Sequence, residues 1–300
     1  ALEQPLSPAQ AEDIDYIAVW IEHSAGDLEA AVSLGRYFLD KWPTSRHVPK
    51  IHLMLGEMYF RNREYPGAIA QFEVLAKKEP LSEHAETALF FAGKAARLMM
   101  SPDSTDRAID SWSRVVDMNG ELALAAREEQ ALAKLGVGQE ADAVTVLDTI
   151  LEGDPPATGE LLFSVLCSKG QALFIMAGEH GEALKEAIAS FDAVLAHPEA
   201  TPFWRNQAAL RRAKCLERKG EPAAALEQYL DVIQGSHAVP PEYLWHYRAG
   251  FEAIRMLESQ EEWEKAIEVA EHLARGGGSR SEEAAARANR LRLQHFIWKE

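Results

Sequence analysis

Residues 55–80, LGEMYFRNREYPGAIAQFEVLAKKEP, contain two helical segments joined by a Tyr-Pro-Gly turn. In the second segment Ala68, Phe72 and Leu75 are spaced by four and then three residues, which places them on one face of a helix. Pro80 ends the stretch, because proline cannot continue a helix. The stretch therefore predicts an amphipathic helix pair, in which the aromatic residues are packing positions and not a site.

The same spacing recurs along the chain. An alanine follows each turn at intervals of 35 to 44 residues: Ala31, Ala68, Ala108, Ala143, Ala187, Ala225 and Ala266. Seven residues after each alanine lies an apolar one: Phe38, Leu75, Val115, Ile150, Val194, Val232 and Leu273. Four residues after the alanine the side chain is large in Phe72, Trp112, Leu147, Phe191 and Tyr229, with Gly35 and Ala270 as exceptions. The chain is thus predicted to be built from seven copies of one unit.

Each unit also has a helical segment before the turn, with a small residue where the two helices would cross: Gly56, Gly93, Ala131, Gly170, Ala213 and Gly250. Proline or glycine closes the units at Pro43, Pro80, Gly120, Pro155 and Pro156, Pro198, Pro240 and Pro241, and Gly276–Gly278. No alternating stretch is long enough for a strand, so the predicted fold is all-α. One helix pair cannot bury its apolar face alone, so we expect about seven pairs to stack into an α-solenoid.

The residues Leu55-Gly56, Tyr59, Tyr65, Ala68, Phe72 and Pro80 resemble the tetratricopeptide repeat (TPR) pattern. The resemblance covers residues 12–278 and implies a right-handed superhelix whose first helices line a concave groove. Residues 1–11 are predicted to be an N-terminal tail. Residues 279–300 are predicted to be a C-terminal capping helix, with a capping box from Ser279 to Glu282. Its apolar face is Ala284, Ala288, Leu291 and Trp298.

Composition narrows the classes of partner. The 300 residues are 47% hydrophobic, enough for a large core, and 31 Lys and Arg stand against 47 Asp and Glu for a net charge of -16. That charge disfavours nucleic acid and anionic lipid. We identify no run of about 18 apolar residues that would span a membrane. Cys167 and Cys215 lie in apolar helical patterns, which favours buried thiols over a disulfide or a metal site.

The catalytic motifs that we sought are incomplete. His84-Ala85-Glu86 and His180-Gly181-Glu182 lack the downstream Pro-Cys-x-x-Cys of a zinc deaminase. The Gly276–Ser279 run lacks the Gly-Lys-Ser/Thr ending of a phosphate loop. The sequence therefore predicts a protein that is not an enzyme and that has no cofactor and no metal site.

The resemblance places the candidate binding residues on the first helices. In the sixth unit these are Gln207, Arg211, Lys214 and Arg218; in the seventh they are Tyr247, Arg248, Phe251 and Arg255. A second candidate in the third unit consists of Phe90, Phe91, Lys94 and Arg97, where one of the two phenylalanines must face the core. Parallel first helices would merge the sixth and seventh stripes into a patch of five cations.

Two interpretations of this patch stay open. It is either an anion-binding groove for an acidic peptide or a C-terminal carboxylate, or a solvated basic face that pairs with Glu217, Glu221 and Glu252. Co-chaperone TPR clamps use asparagines where this chain has Cys167, Gln171 and Leu210, so the resemblance does not imply a specific peptide. Arg212, at a position that is usually apolar, fits neither interpretation.

The leading functional hypothesis is a non-catalytic scaffold that binds a protein or peptide. Residues 38–80, with Trp42-Pro43-Thr44-Ser45 as the link between units, resemble the bacterial envelope TPR subgroup that includes BamD and CpoB. That resemblance implies a periplasmic or envelope location, with the cytoplasm as the alternative. The chain begins with Ala, so we expect either a processed precursor or a segment of a longer protein. Partner identity and oligomeric state stay open.

Two further functional classes remain. One is a regulatory or sensor domain, cut from a larger protein, that binds a peptide or small ligand and relays it to an effector domain. The other is an all-α enzyme built on a helical toroid, which predicts paired acids that converge in a pocket.

Overall fold

The computed structural model describes residues 6–297 except 81, 102, 155, 179–180 and 236–242. Within this part of the chain the secondary structure consists of fifteen α-helices and no strand. The chain divides into two compact units, Ala1–Gln139 and Glu140–Glu300. Residues 1–5 of the predicted tail, Pro155, His180, Pro240, Pro241 and Trp298 lie outside the described residues.

The first unit holds seven helices: α1 (Pro8–Ala25), α2 (Leu28–Lys41), α3 (Val48–Arg61), α4 (Tyr65–Lys78), α5 (Glu83–Leu98), α6 (Ser104–Met118) and α7 (Ala123–Gly136). The second holds eight: α8 (Glu140–Leu151), α9 (Gly159–Met176), α10 (Gly181–Ala196), α11 (Pro202–Lys219), α12 (Pro222–Gly235), α13 (Tyr243–Ser259), α14 (Trp263–Arg275) and α15 (Ser281–His295). Pro43, Pro80 and Pro198 each follow a helix end by two residues, as predicted. Within each unit, consecutive helices pack against one another, which confirms a TPR-like all-α solenoid.

The aligned alanines form the core of the second helix in every pair. All seven are fully buried, and the residues seven positions later are between 0% and 3% exposed. Of the residues four positions later, Phe72, Trp112, Leu147, Phe191 and Tyr229 are fully buried as well. The predicted 0, 4 and 7 spacing therefore identifies the buried face correctly.

Glycines on the first helices allow close helix crossing. A Cβ atom built on Gly56 would lie 2.3 Å from Phe72, and one on Gly170 would lie 2.6 Å from Phe191. In the last pair the residue four positions after the alanine is Ala270, and Leu273 fills the space instead, 2.4 Å from a Cβ on Gly250. A small residue on one helix thus receives a large side chain from the other.

The two terminal helices begin elsewhere than predicted. Helix α1 begins at Pro8, inside the predicted tail, and Ser7 and Gln10 form a capping box. Helix α15 begins at Ser281, and its N-cap residue Arg280 makes no side-chain cap, so the predicted Ser279–Glu282 capping box is wrong. The reason lies in the preceding glycine run, since Gly277 and Gly278 have positive φ and carry the turn past Ser279.

The core of the C-terminal helix is as predicted. Ala284, Ala288 and Leu291 are at most 3% exposed and belong to the core cluster that contains residues of α14. Helix α15 therefore covers the apolar side of the last pair.

Helix α9 contradicts the prediction that the chain has no apolar run long enough to span a membrane. By length and composition it could cross a membrane, with a mean hydropathy of 1.2, and among the described helices it alone meets this criterion. Phe163, Cys167 and Leu173 on α9 are buried in a core cluster, and the helix packs against α8, α10 and α11. Its apolar composition is therefore accounted for by packing inside the solenoid.

Candidate functional site

The predicted stripe on α11 lies where α11 contacts the neighbouring first helices α9 and α13. Arg211 Nη1 donates a hydrogen bond to the Cys167 carbonyl oxygen on α9 at 3.0 Å. Burial lowers the pKa of the Arg211 guanidinium. Arg211 thus joins two first helices, and one of its donors is already used.

The other predicted residues of α11 differ in their contacts with neighbouring helices. Lys214 Nζ lies 2.9 Å from Glu252 of α13. The Arg218 guanidinium lies 3.7 Å from the centre of the Phe174 ring and donates to the Phe174 carbonyl oxygen. Gln207 is half-buried at the start of the stripe. Of these cations, only Lys214 is neutralised by a carboxylate within the described residues.

Arg255 on α13 belongs to an ion-pair network. It pairs with Glu217 of α11 and, at 2.9 Å, with Glu252, and these hydrogen bonds raise its pKa. Burial would raise the pKa of Glu252, but hydrogen bonds from Lys214 and Arg255 outweigh it and the pKa is lowered. The buried Tyr229 hydroxyl donates to Glu217 at 2.7 Å. The network holds α11 and α13 in register and leaves both of its cations compensated.

Arg248 is an exposed cation on α13. Its guanidinium lies 5.5 Å from the centre of the Trp245 ring, and none of the described carboxylates forms an ion pair with it. Phe251, one turn later, stacks on Tyr247 at 6.3 Å and lies 4.3 Å below the Arg280 guanidinium. Arg248 and Phe251 therefore present a free charge beside an apolar ring.

Two predicted groove residues are core residues instead. Tyr247 is 2% exposed, and its hydroxyl donates to the Gly277 carbonyl oxygen and lies 3.3 Å from that of Leu273. Phe90 is 8% exposed and packs edge-on against Phe91. Both residues lie three positions before the glycine at which the helices of a pair cross. Their burial places both side chains in the core, so the prediction that Tyr247 and Phe90 face the groove is wrong.

The third-unit candidate is also largely neutralised. Lys94 and Arg97 both approach Glu129 of α7, at 3.3 and 3.1 Å, and Glu129 is mostly buried. Lys94 further lies 5.0 Å from the Phe90 ring centre. One carboxylate thus holds both cations against α7, which leaves little charge for a ligand.

The structure also accounts for Arg212, which neither interpretation of the basic patch explained. Arg212 points to the opposite side of α11, where it bonds to Asp192 at 2.6 Å and to Gln228 at 3.0 Å. Glu221, a predicted partner of the basic face, pairs instead with Lys219 at 2.7 Å. Arg212 therefore connects α11 to α10 and α12 and takes no part in the groove.

A pocket of about 390 Å³ opens between α11, α13 and the turn before α15. Its lining residues are Leu210, Lys214, Arg248, Phe251, Glu252 and Arg280. Arg280 is a residue that the sequence did not single out; its only signal was its place two residues after the glycine run. It donates two hydrogen bonds to Glu283, at 2.7 and 2.8 Å. The pocket combines three cations, one carboxylate and an aromatic wall, which suits an anionic group attached to an apolar one.

Three acids of the first unit lie at one pocket. Glu83, Glu86 and Glu121 line a pocket of about 550 Å³. Glu86 Oε1, however, accepts a hydrogen bond from the Leu122 amide at 2.8 Å at the start of α7, while the Glu83 side chain is 89% exposed. Glu86 is thus occupied as a helix cap.

The two thiols are free and buried, as the favoured interpretation predicted. Burial raises the pKa of both Cys167 and Cys215 to about 11, so neither is a reactive thiolate at neutral pH. In the described residues, no three His, Cys, Asp or Glu side chains cluster so that they could hold a metal ion.

Comparison with known proteins agrees with this architecture. The tetratricopeptide repeat family model matches residues 24–83. A TPR protein from Parabacteroides merdae superposes with a TM-score of 0.58 at 14% identity, covering 94% of this chain and 99% of that one. The apo form of the quorum sensor NprR from B. thuringiensis superposes with a TM-score of 0.53 at 15% identity, covering 99% of this chain and 90% of that one. Comparison with curated proteins gave no match. Residues 24–83 thus match the tetratricopeptide repeat family model, and the helix pairs have the TPR fold.

Proposed function

We propose that this protein is a non-catalytic scaffold that binds an acidic peptide segment in the groove between α11, α13 and α15. The observation that carries the proposal is the 390 Å³ pocket, in which Arg248 is exposed beside Phe251 without a carboxylate partner among the described residues. A peptide carboxylate would accept charge-assisted hydrogen bonds from Arg248, and an adjacent apolar side chain would contact the Phe251 ring.

The charge balance of the cations on α11 and α13 supports an acidic peptide as the ligand. Lys214 and Arg255 are compensated by Glu252 and Glu217, whereas Arg211, Arg218 and Arg248 contact only carbonyl oxygens or rings within the described residues. The stripe therefore keeps an excess of positive charge on a chain whose net charge is -16. Such a local excess would attract an acidic segment and orient it in the groove.

The test measures peptide binding by fluorescence anisotropy. The probe is a fluorescein-labelled peptide of five glutamates and two leucines with a free C-terminal carboxylate; an amidated copy and a lysine copy serve as comparison probes. The variant is Arg218→Glu/Arg248→Glu, which leaves Arg211 unchanged because its burial and its bond to α9 make it structural. We expect the double variant to bind at least tenfold more weakly, which corresponds to about 1.4 kcal/mol.

The matched control is Lys185→Glu, which reverses an exposed cation on the second helix α10, where Lys185 pairs with Glu182. It should bind the probe as the wild type does. Equal binding by all three proteins, or an equal loss in the control, would contradict a site on the first helices. A loss on amidation alone would assign the site to the terminal carboxylate, and no loss on amidation would assign it to the acidic side chains.

We also propose a periplasmic or envelope location in a bacterium. The support is the resemblance of the Trp42–Ser45 link to envelope TPR proteins. Fractionation of the source cells, followed by detection with an antibody against this chain, tests it. Recovery in the cytosolic fraction would exclude this location.

A second candidate function is that of a sensor for a small anionic ligand. A pocket of about 640 Å³ between α13 and α15 favours it, with Phe251 and Ile254 as apolar walls and Arg280, Arg287 and Arg290 at its rim. The Arg287 side chain pairs with Glu258, which leaves Arg290, an exposed residue, to meet a ligand. A dicarboxylate that raises the melting temperature of the wild type but not of Arg290→Glu would support this function, provided that Arg218→Glu keeps the effect.

A further inference from the structure

The pocket of about 640 Å³ between α13 and α15, which we call the α13/α15 pocket, lies along two parallel helices. The Arg280 guanidinium, just before α15, lies 4.3 Å from the centre of the Phe251 ring, and Arg287 Nε donates to Glu258 Oε1 at 2.6 Å. Both contacts join residues that are 29 apart in sequence, so α15 follows α13 in the same direction and in constant register. The two contacts are seven residues apart on each helix, a length of about 10 Å.

The interior of the α13/α15 pocket is apolar. Ile254 is 1% exposed and forms part of its wall together with Phe251, while Ala286 of α15 lines the opposite side with a small side chain. The carboxylates nearby are already paired, since Glu283 accepts hydrogen bonds from Arg280 and Glu258 accepts one from Arg287. Two of the three arginines that line the pocket are therefore compensated, which favours an apolar group inside over a second carboxylate.

The arginines favour an aromatic group over an aliphatic one. Arg280, Arg287 and Arg290 all line the pocket, and a planar guanidinium group packs well on the face of a ring. Arg280 already makes this contact with Phe251. Binding pockets for small ligands span about 300–1,000 Å³, so this pocket has room for one indole or phenyl ring.

The α13/α15 pocket shares a wall with the pocket that contains Arg248. Phe251 and Arg280 line both. On α13, Arg248 precedes Phe251 by three residues and Ile254 by six, which is about 4.5 and 9 Å along the helix. In an extended peptide, side chains two positions apart point to the same side and lie about 7 Å apart. A peptide whose carboxylate meets Arg248 can therefore place a side chain two positions away in the α13/α15 pocket.

We propose that the α13/α15 pocket selects an aromatic side chain of the bound peptide, two positions from the acidic residue that Arg248 binds. This inference rests on the proposed function and adds to it the sequence that the partner presents: an acidic and an aromatic residue with one residue between them. An acidic segment without the aromatic residue binds through its charge and gains nothing from the apolar interior. The α13/α15 pocket thus distinguishes one acidic segment from another.

The test measures the binding of labelled nine-residue peptides to the full chain by fluorescence anisotropy. The first peptide has a central tryptophan, glutamates at the second and fourth positions on either side, and serines between them. The second has the same composition with the glutamates moved to the first and third positions, where they point away from the tryptophan side. The third and fourth carry serine and leucine in place of the tryptophan. We expect the first peptide to bind at least tenfold more tightly than each of the others.

The variant that separates the two pockets is Ala286→Trp. Ala286 is exposed, so the new side chain fills the α13/α15 pocket without a change of charge, and the circular dichroism should be unchanged. The tenfold advantage of the first peptide should be lost, while the serine peptide should bind as it does to the wild type. The matched control is Ala224→Trp, at an exposed position of α12, which should keep the advantage.

Arg218→Glu/Arg248→Glu tests the proposed function separately, because it should weaken the binding of all four peptides. If this double variant binds every peptide as the wild type does, the proposed function fails and this inference fails with it. If it weakens all four but Ala286→Trp keeps the tryptophan advantage, only this inference is overturned. Equal binding of the shifted or the leucine peptide overturns it as well, and equal binding of the serine peptide leaves the pocket to the small anionic ligand of the second candidate function.

Discussion

At the scale of single residues, the fold depends on pairs in which a small residue on one helix faces a large one on the next. Gly56 faces Phe72, Gly93 faces Trp112, and the Trp112 indole N–H also donates to the Phe90 carbonyl oxygen at 3.1 Å. Such a pair leaves no room for an added methyl group, because the ring already occupies the space.

The first prediction concerns Gly56→Ala. The new Cβ would lie 2.3 Å from Phe72, so the ring or the helix must move, and we expect a net loss of about 2 kcal/mol of unfolding free energy. The control is Gly136→Ala at the end of α7, where a Cβ meets nothing within 4 Å. The control should be neutral or stabilising by up to ~1 kcal/mol, as helix propensity favours alanine. Urea unfolding of both variants measures the difference, and equal effects would contradict the packing argument.

His52 gives a residue-scale prediction about pH. It is 6% exposed, its Nδ1 bonds to Gln71 Oε1 at 2.9 Å, and its Nε2 has no hydrogen-bond partner among the residues that the structure describes. Burial lowers the pKa of His52 below 6.5, because a protonated ring would carry an unpaired buried N–H. The unfolded chain therefore binds this proton more readily than the folded one, and the associated stability is lost as pH falls below about 6.5.

The measurement is urea unfolding of wild type and His52→Gln at pH 5 and pH 7.5. The wild type should lose more stability between these two values than the variant, since the variant has no proton to take up at this position. An equal loss in both proteins would assign the pH dependence to other groups.

At the scale of helices, the ends are decided by local capping and by turn geometry together. The capping box at Ser7 and Gln10 begins α1, whereas Ser279 has the correct spacing to Glu282 but lies in the turn before α15. Both serines have the spacing of a capping box. Ser279, however, follows Gly277 and Gly278, whose positive φ values keep it in the turn before the helix. A capping motif is therefore effective only where the preceding residues leave the chain extended at the cap.

The element-scale prediction compares the two serines. Ser7→Ala should reduce the hydrogen-exchange protection of the first turn of α1, with a loss of about 1 kcal/mol, because the Gln10 amide loses its acceptor. Ser279→Ala should leave the protection of α15 unchanged, since its hydroxyl caps nothing. A loss of protection in α15 in the second variant would show that Ser279 does cap this helix.

At the scale of the whole molecule, the core is divided among clusters that each belong to one unit. The clusters around Phe38 and around Phe72 lie in the first unit, and those around Phe191 and around Tyr229 lie in the second. In a solenoid each pair contacts its neighbours along the chain, so stability is approximately a sum of local terms. A cavity in one unit should therefore weaken mainly that unit.

The corresponding prediction uses two matched cavities. Phe72→Ala should lower hydrogen-exchange protection mainly in α3–α5, and Phe191→Ala mainly in α9–α11, each by ~3–5 kcal/mol at the site. Both rings are fully buried, so the two variants remove similar packing. Equal loss of protection throughout the chain in either variant would show that the chain unfolds as one cooperative body.

The sequence by itself determined the fold class, the helix pairs, the crossing residues and the buried face of every second helix. These features follow from short-range periodicity, because the positions 0, 4 and 7 lie on one helix face whatever packs against it. The same is true of the stripe on α11, whose residues share a face by spacing alone. The sequence was thus sufficient wherever the required information lies within one or two turns of the same helix.

Only the tertiary structure decided which members of the stripe carry free charge. Lys214 and Arg255 are neutralised by acids on the neighbouring helix, Arg212 is held by Asp192, and Arg248 remains exposed. The approach of Arg280 to Phe251 is decided in the same way. The physical reason is that burial and ion pairing depend on side chains 20 to 40 residues away, which meet only when the helices stack.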